Sequence, residues 1–153
     1  MTFSLRPYQQ DAIDQIREKY RQGVKKVLLI STDKAAEPVN LYGATKLCAE
    51  KLFISANVYS PNRTVFSAVR YGNVLESRGS IIPLFKFQAE NQEHLTVTHP
   101  DMTRFVMTLD DAVDLINHTI ENGRPGETWI PKLPSMRIGD LAELYSEKHN
   151  KQI

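Results

Sequence analysis

The sequence predicts an α/β chain: part of a doubly wound, mostly parallel sheet with flanking helices. Three observations carry this. Val27-Leu28-Leu29-Ile30 and Thr64 to Val69 are short, nearly continuous apolar runs, the pattern of parallel strands covered on both faces. The stretch between them, Leu41 to Val58, has helical spacing, so the order is strand, helix, strand with a right-handed crossover. Nothing before Val27 supplies a strand followed by a glycine-rich turn, and the whole chain holds only 7 glycines, so the expected sheet lacks the amino-terminal strands of such a fold.

Each element has its own local cause. Pro7 suits a first helical position, Ile13, Ile16 and Tyr20 recur at helical spacing, and Gly23 ends the pattern, predicting a helix over about 7–22. The strand at 27–30 follows. In the helix over 41–58 the apolar residues fall at 44, 47, 48, 52 and 55 to 58, and Pro61 stops any continuation. After the strand at 64–69, helices are expected at Ile81–Gln88, Leu109–Glu121 and Ile138–His149, with a short strand at Thr128-Trp129-Ile130 before Pro131.

A chain of 153 residues with 41% hydrophobic content fits a single domain with its own core. Net charge is +1, from 19 basic and 18 acidic residues, which gives no electrostatic footprint for nucleic acid or an anionic membrane. No apolar run approaches the roughly 20 residues of a membrane span, and MTFSLRPYQQ lacks the apolar core of a signal peptide, so a cytoplasmic location is expected. The single cysteine, Cys48, excludes an internal disulfide and makes no zinc site alone; on its helix it reads as a small packing residue.

The chemistry concentrates at the carboxyl ends of the first two strands, where such sheets place their ligands. Tyr42 and Lys46 stand one helical turn apart on one face, so the Lys46 ammonium sits near the Tyr42 phenol. Positive charge from Lys46 and from an oxidised nicotinamide lowers a phenol's pKa toward a value useful for taking a proton from a sugar hydroxyl. Ser31-Thr32-Asp33-Lys34 leaves the first strand directly and Arg70 to Val74 leaves the second, so both blocks open onto one crevice.

The stretch VLLISTDKAAEPVNLYGATKLCAEKL, followed by RYGNV, SRGSIIPLF, MTRF and PKLPSMRI, resembles the soluble, C5-inverting UDP-N-acetylglucosamine 4,6-dehydratases, which are extended short-chain dehydrogenases/reductases with a Rossmann-like fold. The resemblance runs from about Gly23 to the end. It implies catalysis by Thr32, Asp33, Lys34, Tyr42 and Lys46: Thr32 on the sugar C4 oxygen beside Tyr42, Asp33 giving a proton to the departing C6 hydroxyl, and Lys34 taking the C5 proton. Retaining dehydratases commonly have a carboxylate where Lys34 stands. It also implies that Tyr42, Lys46, Tyr71, Gly72, Asn73 and Val74 hold NADP or NAD at its nicotinamide end, and that Asn73, Arg78, Thr103 and Arg104 hold the nucleotide sugar, the arginines on its diphosphate. No metal is implied. Glu76 replaces a small residue usual in its loop and is expected to set a carboxylate near that diphosphate.

Leu5-Arg6-Pro7-Tyr8-Gln9-Gln10-Asp11-Ala12-Ile13, with Gly23 and Val27 to Leu29, resembles the opening of superfamily-2 helicases. That resemblance suggests a chimera or rearranged fragment, 1–26 helicase-like and 27–153 dehydratase-like. No triphosphate cradle follows the strand, so ATPase activity is not expected. Three readings stand: a UDP-N-acetylglucosamine dehydratase, a silent binding or interaction domain, and a helicase-like module. The isolated chain is expected to be silent because the dinucleotide loop is missing. A strand at 27–30 with one partner exposes an edge, from which a homodimer or an aggregation tendency is expected unless the first helix folds over that edge.

Overall fold

A computed structural model describes residues 25–59 and 64–153 together with Asp14, Glu18 and Gly23. Asp14 and Glu18 are helical; the remainder of the predicted first helix, and most of the helicase-like segment, lie outside the described residues.

The two apolar runs form β1 (Lys26–Thr32) and β2 (Val65–Tyr71), which pair in parallel from Lys26 opposite Val65 to Thr32 opposite Tyr71. Between them a short 3-10 turn over Asp33–Ala35 leads into α1 (Leu41–Tyr59). The chain continues through β3 (Asn73–Val74), α2 (Ile81–Asn91), β4 (Thr103–Met107), α3 (Leu109–Asn122), β5 (Thr128–Trp129), β6 (Ser135–Arg137) and α4 (Ile138–His149). Among the described residues the strands make two three-stranded sheets, β1-β2-β5 and β3-β4-β6. The first is wholly parallel, and the second adds an antiparallel β4–β6 pair to a parallel β3–β4 pair. The predicted α/β class and parallel β1–β2 pairing stand. α2 runs on to Asn91 where its apolar pattern stops at Gln88, while β3, β4 and β6 were not expected at all.

Burial departs from expectation in one respect. The continuous apolar run of β1 predicts cover on both faces, yet Val27 to Leu29 are half-buried and Ile30 is 41% exposed. β1 is the edge of its sheet among the described residues, and β2, with neighbours on both sides, carries the fully buried Ala68 and Val69. A second core joins α2 to α4, where Phe85 packs with Ile138, Leu141 and Ala142.

α1 is held to the sheet by one face. Lys46, Glu50, Phe53 and Asn57, spaced 4, 3 and 4 residues apart, all reach β1 or β2. The Asn57 side chain donates to the Phe66 carbonyl at 2.8 Å and accepts from the Phe66 amide at 2.9 Å, mimicking a strand neighbour. Cys48 falls between Lys46 and Glu50, about 200° round the helix from both, so it is exposed and not the packing residue expected. Leu52 and Val58 share its fate at 71% and 77% exposure.

Gly43 fixes where α1 begins. A Cβ there would sit 2.2 Å from the Lys34 carbonyl oxygen and 2.9 Å from Pro38, so only glycine lets the helix pass beneath the 3-10 turn. Gly43→Ala is therefore expected to lower stability by about 1–3 kcal/mol, measured by urea unfolding. An unchanged midpoint would show that the turn does not rest on the helix.

Candidate active site

The carboxyl ends of β1 and β2 and the first turns of α1 enclose a crevice of about 290 Å³. Thr32, Lys34, Tyr42, Lys46, Tyr71 and Asn73 all line it. Parallel register explains the meeting, because Thr32 lies opposite Tyr71 and the two exit loops therefore leave side by side.

The Thr32 hydroxyl is buried and donates to Asp33 Oδ1 at 2.9 Å. Lys34 Nζ donates to the same carboxylate oxygen at 2.9 Å and to Asn73 Oδ1 at 3.1 Å. Asn73 turns its amide nitrogen to the Phe105 carbonyl at 3.1 Å, which fixes its oxygen toward the ammonium. Gly72 permits this, since a Cβ there would stand 2.6 Å from the Phe105 oxygen. Thr32, Asp33, Lys34 and Asn73 thus form one hydrogen-bonded chain from β1 to β3.

Tyr42 is half exposed at the crevice mouth, and Lys46 Nζ donates to the Ile30 carbonyl at 3.1 Å. Burial, and next the neighbouring Tyr42, push the Tyr71 phenol above its ordinary pKa, so Tyr71 stays neutral beside Tyr42.

Thr103 and Arg104 come to the same place from β4. With Asp33, Lys34 and Asn40 they surround a second hollow of about 340 Å³. Arg104 also borders a larger, mainly apolar cavity of about 430 Å³ between β3, α2 and β6, which shares Asn73 and Val74 with the crevice. The Ser80 hydroxyl is buried at that cavity without a partner, so the cavity holds an unmet polar group. Arg78 lies exposed on the turn between β3 and α2 and is not among the residues around these three cavities. The Glu76 carboxylate, expected to face a diphosphate, instead accepts from Lys86 Nζ at 2.6 Å on the exposed side of that turn. Glu76 has a left-handed backbone, φ 58°, which directs its side chain there.

Sequence reasoning missed what lies beneath the crevice. Glu50, 2% exposed, accepts from Ser31 Oγ at 2.5 Å and from Arg70 Nε and Nη2 at 2.9 and 2.6 Å. Burial raises the pKa of its carboxyl, but the hydrogen bonds from Arg70 and Ser31 and the Arg70 charge outweigh that and hold it below its usual range. The bond to Glu50 in turn raises Arg70. The available signal was spacing: Glu50 follows Lys46 by four residues and Tyr42 by eight, on the helix face that meets the sheet.

Among the described residues no cluster of three His, Cys, Asp or Glu suits a metal, and no helix is long and apolar enough to cross a membrane. Tyr42, Lys46 and Tyr71 to Val74 are the residues of this crevice that could hold the nicotinamide end of a dinucleotide. No glycine-rich turn for a pyrophosphate lies among the described residues.

Residues 12–153 match the profile of a family described as polysaccharide biosynthesis protein, a match that begins inside the helicase-like segment. The chain is 54% identical over 126 residues to an uncharacterized membrane protein of Methanocaldococcus jannaschii, covering 82% of this chain and 38% of that one. It is 50% identical over 125 residues to an inverting UDP-N-acetylglucosamine 4,6-dehydratase of Campylobacter jejuni, covering 80% and 37%. It is 46% identical over 125 residues to a UDP-glucose 4-epimerase of Rickettsia typhi, covering 81% and 37%. The chain thus spans under two-fifths of the length of these relatives. Among solved structures, the X-ray structure of Pen from Bacillus thuringiensis matches with a TM-score of 0.80 at 44% identity, over 86% of this chain and 42% of that one. A dTDP-glucose 4,6-dehydratase from Streptomyces venezuelae, solved with NAD, matches at 0.73 and 17% identity over 83% and 45%, a likeness of fold.

Removing one partner of a buried ion pair strands the other, so Glu50→Ala is expected to cost about 3–5 kcal/mol in urea unfolding. Glu50→Leu with Arg70→Met should recover most of it. Because the folded Glu50 carboxyl titrates below its unfolded value of about 4.3, the pair's contribution is complete above that pH and lost as pH falls through the folded value. The stability gap between wild type and Glu50→Gln should accordingly shrink on acidification below about pH 4.3. A gap independent of pH would contradict the ionised pair.

Proposed function

The chain belongs to the polysaccharide biosynthesis protein family, and we propose that it carries the substrate-binding and proton-handling part of a C5-inverting UDP-N-acetylglucosamine 4,6-dehydratase. The observation that carries this reading is the meeting of the polar crevice and the apolar cavity at Asn73 and Val74, with Arg104 bordering the cavity. A nucleotide sugar has the same division. Its sugar suits the crevice, its base suits the apolar cavity with the orphaned Ser80 hydroxyl, and its diphosphate suits the Arg104 guanidinium.

NADP or NAD, bound at the crevice walls, supplies the hydride acceptor. Within the crevice, Tyr42 takes the proton from the sugar C4 hydroxyl while Thr32 orients that oxygen. Lys34 then takes the C5 proton, and Asp33 gives its proton to the C6 hydroxyl, which leaves as water. The 2.9 Å contact between Lys34 Nζ and Asp33 Oδ1 offers a path for the proton to return from base to acid. As an ion pair the two carry the charges that elimination leaves behind.

Dehydration is preferred to the epimerase chemistry of other relatives for a reason of count. Epimerisation at C4 needs one group to exchange the hydroxyl proton, whereas elimination needs an acid at C6 and a base at C5 as well, and Asp33 and Lys34 supply these. Lysine at position 34, in place of a carboxylate, supports inversion at C5. No glycine-rich turn lies among the described residues, so this reading gives them the sugar-binding and proton-handling side of the cycle.

Calorimetric titration with UDP-N-acetylglucosamine tests the reading. Binding is expected, with Arg104→Ala weakening it at least tenfold through loss of a charge-assisted contact worth about 1.5–3 kcal/mol. Lys34→Met should leave affinity near the wild-type value. Chain incubated with the sugar nucleotide and NADP should yield no 4-keto product. Absence of binding would sink the substrate assignment, and a 4-keto product would overturn the claim of silence.

A further inference from the structure

Two side chains from distant parts of the chain converge on one amine. Lys34 Nζ donates to Asp33 Oδ1 at 2.9 Å and to Asn73 Oδ1 at 3.1 Å. An ammonium has three N–H groups and no acceptor, so two of its three positions are taken and one remains. Lys34 borders both the crevice and the hollow beside Arg104.

The Asn73 amide is not free to choose which end it shows to Lys34. Its Nδ2 donates to the Phe105 carbonyl at 3.1 Å, and its backbone is held against β4 with Asn73 opposite Val106. Turning the amide over would set its NH2 group against the ammonium and its oxygen against the Phe105 carbonyl, donor facing donor and acceptor facing acceptor. β4 therefore dictates that position 73 offers Lys34 an oxygen.

A lysine acts as a base only as the neutral amine, which has two N–H groups and one lone pair. With two acceptors already in place around the nitrogen, the two hydrogens go to them and the lone pair takes the third position. The two acceptors differ in kind. Asp33 changes charge with its proton, although its Oδ1 still accepts when that proton sits on Oδ2. The Asn73 oxygen accepts from charged and neutral lysine alike, and it adds no negative charge that would favour the ammonium. A carboxylate at position 73 would grip Lys34 equally well and keep its proton on.

We propose that Asn73 is a positioning residue for Lys34: its amide oxygen, set by Phe105, holds one hydrogen of the amine while Asp33 holds the other, so that the lone pair faces the crevice. In the step so aimed, the sugar C5–H bond breaks, its electron pair passes into the enolate of the C4 ketone, and the proton goes to the Lys34 nitrogen. The inference rests on the proposed function for the identity of Lys34 as the C5 base; the anchoring of its amine by Asn73 stands apart from it.

The test uses the full chain, labelled with 15N and 13C in lysine and asparagine. Without any ligand, a scalar coupling across the hydrogen bond should link Lys34 Nζ to Asn73 Cγ. Asn73→Leu should speed exchange of the Lys34 Nζ protons about tenfold, the order of one lost hydrogen bond, while the Lys46 Nζ protons, bonded to the Ile30 carbonyl, keep their rate. Absence of the coupling in the wild type, a result that depends on no variant folding, or unchanged exchange in Asn73→Leu would overturn the proposal. The second measurement supplies the UDP-linked 4-keto-6-deoxy sugar in deuterium oxide and follows deuterium entering C5, which needs a base and no hydride acceptor. Asn73→Leu should slow this entry about tenfold at saturating sugar. Asn73→Asp should keep Lys34 coupled to residue 73 and yet slow the entry too, which an asparagine of merely structural use would not do; entry as fast as in the wild type would contradict the need for a neutral acceptor. Wild-type coupling without deuterium entry would strike the proposed function and with it the base, whereas missing coupling would strike the role of Asn73 alone.

Discussion

One buried carboxylate organises the site. Glu50 ties three elements at once: it belongs to α1, accepts from Ser31 in β1 and is gripped on two nitrogens by Arg70 in β2. Ser31 directly precedes Thr32 and Arg70 directly precedes Tyr71, so the tie lies one residue below the crevice end of each strand. A planar, doubly bonded guanidinium–carboxylate pair tolerates little rotation. With Asn57 pinned to Phe66 further along the helix, α1 can neither roll nor slide, and its first turn must carry Tyr42 and Lys46 to the crevice. The pair's service is geometric more than energetic, since buried ion pairs contribute little net stability against apolar replacements.

The layout was legible where local pattern and tertiary role agree. The runs at 27–30 and 64–69 are apolar because they sit side by side in a sheet, and the helices at 109 and 138 begin where their spacing says. Thr108 and Asp111 even form a reciprocal cap at the start of α3. Legibility failed where a strand owes its existence to distant partners. Asn73–Val74 and Ser135–Arg137 are too short to show a period, and Thr103 to Met107 alternates weakly because its first three residues are exposed. These strands bring Asn73, Thr103 and Arg104 to the crevice and the hollows beside it, so the resemblance could name these residues as candidates but could not place them.

Cys48 shows a related limit. The apolar positions of α1 suggest a packed stripe through 44, 47, 48 and 52, yet the face that meets the strands is Lys46, Glu50, Phe53 and Asn57, mostly polar side chains satisfied by the sheet. Burial there follows hydrogen-bond partners, which only tertiary structure supplies. Arg78 and Glu76 make the same point on the loop after β3: a left-handed backbone at Glu76 turns its carboxylate to Lys86, and Arg78 stays on the surface.

The central claim is that a sugar lies in the crevice between Thr32, Lys34 and Tyr42 while its nucleotide fills the neighbouring cavity. A crystal structure of the chain with UDP-N-acetylglucosamine addresses this directly. The account predicts the C4 oxygen within hydrogen-bond reach of Thr32 and Tyr42, C5 and C6 facing Lys34 and Asp33, and the diphosphate on Arg104. A sugar bound outside the crevice, or a diphosphate held away from Arg104 with the Asn73–Val74 passage empty, would contradict it.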